Sequence, residues 1–274
     1  MTPRIASTEA LQRVISEYRS TAITNDAIYE LFTERTNQNP MLREHRDWVE
    51  ANKWGFGDRA FHYMWLLLLQ NLHESGRADV ELLEIGVFKG QTISLWTLIA
   101  QELQLGAHVT GITPLTGKPP LPPLLHRTRM LLDRKYRQDA HVGNLHIRSD
   151  YKDDIEKIFR NFGLEFGDVT LVRGLSQDES VHAQVRGKSF DLVYVDGGHR
   201  YEEVAADLKL YGPLVREGGY LVVDDAAYFE PGSAFFKGFE SVSTAANELD
   251  PRRYANVLNV GHNRIYKIRC ASAQ

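Results

Sequence analysis

The feature that most constrains this chain is a series of short, almost wholly apolar segments separated by stretches of helical period. Val80 to Ile85, His108 to Ile112, Val169 to Arg173, Phe190 to Val195 and Tyr220 to Val223 all have strand length. A helix from about Gln91 to Gln104 follows the first. Another, Tyr201 to Tyr211, joins the last two and is stopped by Gly212-Pro213. Near-continuous apolar strands need cover on both faces, which a parallel sheet with helical crossovers supplies. Right-handed crossovers then give an α/β, doubly wound, mostly parallel sheet. Tyr254 to Val260, Gly261-His262-Asn263 and Arg264 to Ile268 read as a C-terminal antiparallel hairpin, making seven strands in all.

Residues 1–75 lack this alternation and read as a helical N-terminal extension before a sheet domain over 76–274. Leu11, Ile15 and Tyr18 recur at helical spacing, as do Phe61, Met64, Trp65 and Leu68. A Trp-Gly-Phe-Gly-Asp turn at 54–58 precedes the second set, with Asp58 placed to cap it. An insertion at about 113–149 interrupts the sheet domain. It starts on a proline-rich run, with Pro119 to Pro123 at its centre, and continues as a basic helical segment, Arg127 to Arg137. It reads either as a surface insertion or as a cap over the carboxyl edge of the sheet, where ligands bind in such folds.

Charge limits the partners. With 32 basic and 36 acidic side chains the net charge is −4. That gives no electrostatic case for nucleic acid or an anionic membrane. The longest apolar stretch, Met64 to Leu69, is far short of the roughly 20 residues that cross a bilayer. The first residues show no basic stretch followed by an apolar run, and Cys270 is the one cysteine. A soluble, cytoplasmic protein is expected, and a homo-oligomer built through the N-terminal helical arm is compatible with the sequence.

Two places carry chemistry. Leu82 to Gly90 runs from a strand through a glycine turn into a helix. Its Gly86-x-x-x-Gly90 spacing is neither the dinucleotide fingerprint nor a triphosphate loop. Glycines there let a ligand approach the backbone, or serve βα packing alone. Strand four ends in Asp196-Gly197-Gly198-His199 and strand five in Asp224-Asp225. Neighbouring strands lie about 4.8 Å apart, so these acids would meet at one edge. Such carboxylates share a proton or bind a hard cation such as magnesium. His199, in the same loop, is placed to take a substrate proton. The plainer reading is that Asp196 or Asp225 caps the following helix.

These residues resemble a family. Glu84-Ile85-Gly86 to Gly90, Asp196 to Glu202 and Gly218 to Asp225 look like a class I S-adenosylmethionine-dependent methyltransferase of Rossmann-like fold. More narrowly, they are similar to the metal-dependent O-methyltransferases of natural-product pathways, of the macrolide-sugar type. The resemblance implies that Glu84, Gly86 and Gly90 cradle the methionine part of S-adenosylmethionine. It places Ser176 and Gln177, within Gly174 to Asp178, at the adenine edge, and counts Thr113 and Asp196 among the cofactor-binding residues. Asp196, Asp224 and Asp225 become ligands of Mg or another divalent cation, and His199 the general base. The turn Lys53-Trp54-Gly55, with His62-Tyr63, matches a segment that covers the cofactor. One position departs: strand two runs into Thr113, where the family has an acid for both ribose hydroxyls. A threonine makes one or two such bonds and brings no charge.

The expected activity is therefore Mg-dependent methyl transfer to a hydroxyl of a small natural-product or sugar-like acceptor. The rival expectations are metal-independent N- or O-methylation and non-catalytic S-adenosylmethionine binding. His45, His73, His108, His126, His141, His146, His182 and His262 show no ligand spacing and read as surface or core histidines.

Overall fold

The computed structural model describes residues 8–116, 121–134, 136–137 and 150–270. One sheet holds β1 (Asp79–Ile85), β2 (Gly106–Thr113), β3 (Val169–Arg173), β4 (Phe190–Val195), β5 (Val215–Val223), β6 (Tyr254–Val260) and β7 (Asn263–Ile268). Its order is β3-β2-β1-β4-β5-β7-β6. The first five strands are parallel, and β7 lies antiparallel between β5 and β6. The doubly wound sheet and closing hairpin match the sequence reading.

Ten α-helices stand among the described residues. They are α1 (Thr8–Glu17), α2 (Ala22–Gln38), α3 (Pro40–Asn52), α4 (Arg59–Glu74), α5 (Gln91–Leu103), α6 (Pro123–Leu132), α7 (Tyr151–Asn161), α8 (Glu179–Val185), α9 (Tyr201–Tyr211) and α10 (Glu240–Asn247). No helix among the described residues is long and apolar enough to cross a membrane.

Successive strand residues point to opposite faces, so each strand feeds two cores. Leu82, Leu192, Tyr194, Tyr220 and Val222 join a cluster with α4, α5 and α7. Leu83, Val193, Val195, Leu221 and Val223 join one with α8, α9 and α10. On the first face, Trp65 of α4 packs edge-on against Trp96 and Tyr194 at 5.1 and 4.9 Å. The register aligns the carboxyl ends, with Ile85 opposite both Ile112 and Val195, and Val195 opposite Val223. The turns after β1, β2, β4 and β5 therefore open at one edge, beside the switch point between β1 and β4.

Three local expectations change. β5 starts at Val215, before Tyr220, because Arg216 to Gly219 bulge out of register where Gly218 takes φ +71°. The basic helix is α6, which ends at Leu132, since Asp133 is extended and breaks it before Arg137. Asp58 sits at the α4 N-cap but makes no capping bond, because its carboxylate turns to Tyr29 and towards His262. Much of the 113–149 insertion, with Pro119, His141 and His146, lies outside the described residues.

Candidate active site

The turn after β1 forms the floor of a cavity of about 430 Å³. Gly86, Val87, Phe88, Thr113, Ser176, Gln177 and the Asp196–Gly198 loop are among its walls. Gly86 takes φ +103°, and a Cβ there would lie 1.9 Å from the Asp196 carbonyl oxygen. Glycine thus lets the β1 and β4 turns touch. Phe56, in the turn before α4, packs on Phe88 at 5.2 Å. That turn is tied to the start of α5 by Gln91, whose Nε2 donates to the Phe56 carbonyl at 2.9 Å, and by Arg46, which donates to the Gly57 carbonyl at 2.6 Å.

The predicted cofactor residues divide by position. Gly86, Thr113, Ser176, Gln177 and Asp196 line the cavity, whereas Glu84 and Gly90 stand outside its wall. A Cβ on Gly90 would press on Ile155 of α7 at 3.1 Å, so this glycine serves helix packing. Glu84 is buried beneath the turn, and burial pushes its carboxyl up to about 8 against a pull from Thr92. Thr113 is 1% exposed and its hydroxyl is already engaged. It donates to the Val87 carbonyl at 2.6 Å and accepts from Leu115 N–H at 3.0 Å. Threonine at the end of β2 therefore shapes the loop, and its proton is spent. His62 lies away from the cavity in a buried pair with His45, Nε2 to Nδ1 3.0 Å.

A second cluster flanks the Asp196 loop. Asp224, Asp225 and His262 offer ligand atoms that all lie within 4.8 Å of one another. His262 Nε2 stands 3.3 Å from Asp224 Oδ1 and 3.7 Å from Asp225 Oδ1. Asp196 is outside this trio. Its carboxyl donates a hydrogen bond to Asp224, and burial, then the Asp224 charge, holds it well above the usual carboxylate range. Burial raises Asp224 too, while His262 draws it back. Neither Asp196 nor Asp225 caps a helix, since Arg200 and Phe239 occupy the N-cap positions of α9 and α10.

His199 is held from two sides. Its Nε2 stands 3.1 Å from Asp225 Oδ2, and its ring stacks on Phe239 at 4.5 Å. The bond to Asp225 raises its pKa against the opposing effect of burial. Phe236, 55% exposed, is edge-on to both Phe239 and His262, at 5.7 and 5.5 Å.

His262 is the site residue that the sequence reading missed. Spacing along the chain hides it, because Asp224 is 38 positions away (262 − 224). The signal lay in the hairpin. Since β7 runs antiparallel beside β5, with Val223 opposite Arg264, its leading turn falls at the Asp224 edge. The trio suits a hard divalent cation, with two carboxylates and one imidazole. Asp224 Oδ1 is also buried without a hydrogen-bond partner among the described residues, which costs stability unless something binds there.

Comparison with known proteins bears on the domain as a whole. The profile of the Methyltransf_24 family, described as a methyltransferase domain, matches residues 83–226. The uncharacterized protein R132 of Acanthamoeba polyphaga mimivirus is 23% identical over 180 residues, 65% of this chain and 64% of that protein. The chain thus spans under two thirds of that relative's length. Among solved structures, the O-methyltransferase NovP shares 16% identity at TM-score 0.54, over 76% of this chain and 79% of that one. The S-adenosylhomocysteine-bound Podospora anserina methyltransferase PaMTH1 shares 14% at TM-score 0.53, over 85% and 89%. These structures share the fold.

Proposed function

The chain belongs to the Methyltransf_24 methyltransferase family, and on that premise we propose that it moves a methyl group from S-adenosylmethionine to a hydroxyl of a small molecule with a divalent cation, Mg in the first instance. The observation that carries the reading is the adjacency of a glycine-floored cavity and the Asp224–Asp225–His262 trio, joined through the Asp196 loop.

The residues supply distinct functions. The cavity walls hold and orient the methyl donor, and alignment of donor and acceptor can be worth about 7–11 kcal/mol of barrier. Asp224, Asp225 and His262 would hold the cation, which when bound lowers the pKa of an attached hydroxyl. Asp225 accepts from His199 Nε2 and so leaves Nδ1 as the lone pair that takes the acceptor's proton. Phe239 fixes the plane of that ring. Phe236 gives the acceptor an exposed aromatic face beside the trio, which favours a flat or apolar acceptor body bearing neighbouring hydroxyls.

Calorimetry with S-adenosylhomocysteine, followed by transfer of labelled methyl to a panel of catechols and vicinal-diol sugars with and without Mg, tests the reading. Micromolar binding and Mg-dependent labelling are expected. Absence of binding would overturn it. A second reading, transfer without metal, rests on the Asp196–Asp224 hydrogen bond, in which a proton already relieves the acids' repulsion. Full turnover in chelator would select it.

A further inference from the structure

The adenine edge of the cavity is fixed from behind by a residue that no motif marks. Asp207 lies on α9, 1% exposed, beneath both the Ser176-Gln177 loop and the Asp196–Gly198 loop. Its Oδ1 accepts from Gln177 Nε2 at 2.7 Å. The same Nε2 donates to Ser176 Oγ, also at 2.7 Å. Tyr211, one turn further along α9, donates its hydroxyl to the Ser176 carbonyl at 2.6 Å and holds that loop in place.

A primary amide has two N–H donors and one carbonyl acceptor. Both donors of Gln177 are used by Ser176 and Asp207. Its Oε1 has no partner among the described residues, and Gln177 lines the cavity. The orientation of an amide follows from its network, and here one partner decides it. Burial pushes the Asp207 carboxyl up to about 6, against hydrogen bonds from Ser176 and Gln177, so at neutral pH and above it is ionised. An ionised carboxylate only accepts, so it must face the amide nitrogen.

We propose that Asp207 is a positioning residue that locks the Gln177 amide with its oxygen towards the cavity, so that the site selects a purine carrying an exocyclic amine over its 6-oxo counterpart. The inference rests on the reading of this cavity as the S-adenosylmethionine pocket, and it adds the residue that sets base selectivity. A donor amine meets the locked Oε1 as a partner. An exocyclic 6-oxo oxygen meets it as a second acceptor, and two facing acceptors repel each other and cannot bond.

The test compares the affinities of S-adenosylhomocysteine and its 6-oxo analogue, S-inosylhomocysteine, at pH 8 by calorimetry. Wild-type protein is expected to prefer the amine by tenfold or more. Asp207→Asn replaces the acceptor by a group that also donates. The Gln177 amide can then turn, and the preference is expected to fall below threefold. Asp207→Glu, which keeps the acceptor, should hold a preference nearer to wild type. A merely structural role would weaken both ligands equally and leave the ratio unchanged, and that result in a folded Asp207→Asn protein overturns the proposal. If Asp207→Asn loses its cooperative melt, Gln177→Met, which removes the locked Oε1 altogether, must lower the ratio instead, and an unchanged ratio in that variant overturns the proposal. Wild-type protein that binds neither ligand overturns the pocket reading, and the lock with it. Binding of S-adenosylhomocysteine with no preference overturns the lock alone.

Discussion

Gly86 has no room for a side chain, and that fact ties one residue to two turns. A methyl at this position would meet the Asp196 carbonyl oxygen at 1.9 Å and Gly197 Cα at 2.8 Å. Its φ of +103° adds strain for any other residue, of order 1–3 kcal/mol. Gly86→Ala is therefore expected to fold with a lowered melting temperature and to bind S-adenosylhomocysteine at least tenfold more weakly, as calorimetry would register. His199 behaves in the opposite way. It is half exposed and lines no part of the cavity. His199→Ala should leave cofactor affinity within about twofold and lower turnover by about 10²–10⁴, the range of a general base. Near-normal turnover would remove histidine from that role. Asp224 and Asp225 were legible as a pair because strand ends carry them. His262 was not, because only the pairing of β7 with β5 brings it there. Thr113 was legible as a departure, but not its reason: a hydroxyl bonded to Val87 and Leu115.

At the scale of elements, strands read well where both faces are buried and poorly where the backbone leaves register. Phe190–Val195 is buried throughout and its bounds follow from the sequence, whereas the Gly218 bulge concealed the start of β5. The helices α3, α4 and α5 meet at a feature that period alone does not mark. His45 Nε2 bonds Ser94 Oγ at 3.0 Å, and Ser94 in turn donates to the Gln91 carbonyl at 3.0 Å. His45 therefore carries its proton on Nε2 and accepts from His62 through Nδ1. Burial lowers His45 to about 3 and His62 in the same direction. The sign follows from linkage. The unfolded state takes up the proton first, so the His45 contribution is complete above about pH 6.5 and is lost as pH falls towards 3. Between pH 6.5 and 5 that amounts to about 2 kcal/mol, or about 4–8 °C in melting temperature. Glu84 and Asp207, whose pKa values are raised, act in the opposite sense over this range. The comparison must therefore be made against a variant. The melting-temperature advantage of wild type over His45→Gln should shrink by that amount as pH is lowered from 6.5 to 5. A gap that stays constant with pH would mean that the pair titrates normally.

At the scale of the molecule, the two halves of the site are built from different strands. The cavity draws its walls from the turns after β1, β2, β3 and β4, whereas the trio comes from the end of β5 and the β6–β7 hairpin. They share the Asp196–Gly198 loop, which lines the cavity and meets Asp224 through the Asp196 side chain. This division was only half legible: the parallel strands announce a carboxyl edge, but the antiparallel hairpin that completes it reads as mere closure of the sheet. The arrangement predicts how the two binding events couple. On the proposed reading, removing a cation from the trio would take charge from carboxylates that the cavity does not contact, and the Asp196–Asp224 proton would compensate locally. Treatment with chelator should then leave S-adenosylhomocysteine affinity within about threefold while turnover falls at least a hundredfold, and added Mg should restore it. Asp224→Asn should mimic the chelator and resist the rescue. Loss of cofactor binding on chelation would show instead that the ion holds the shared loop itself, making trio and cavity one site.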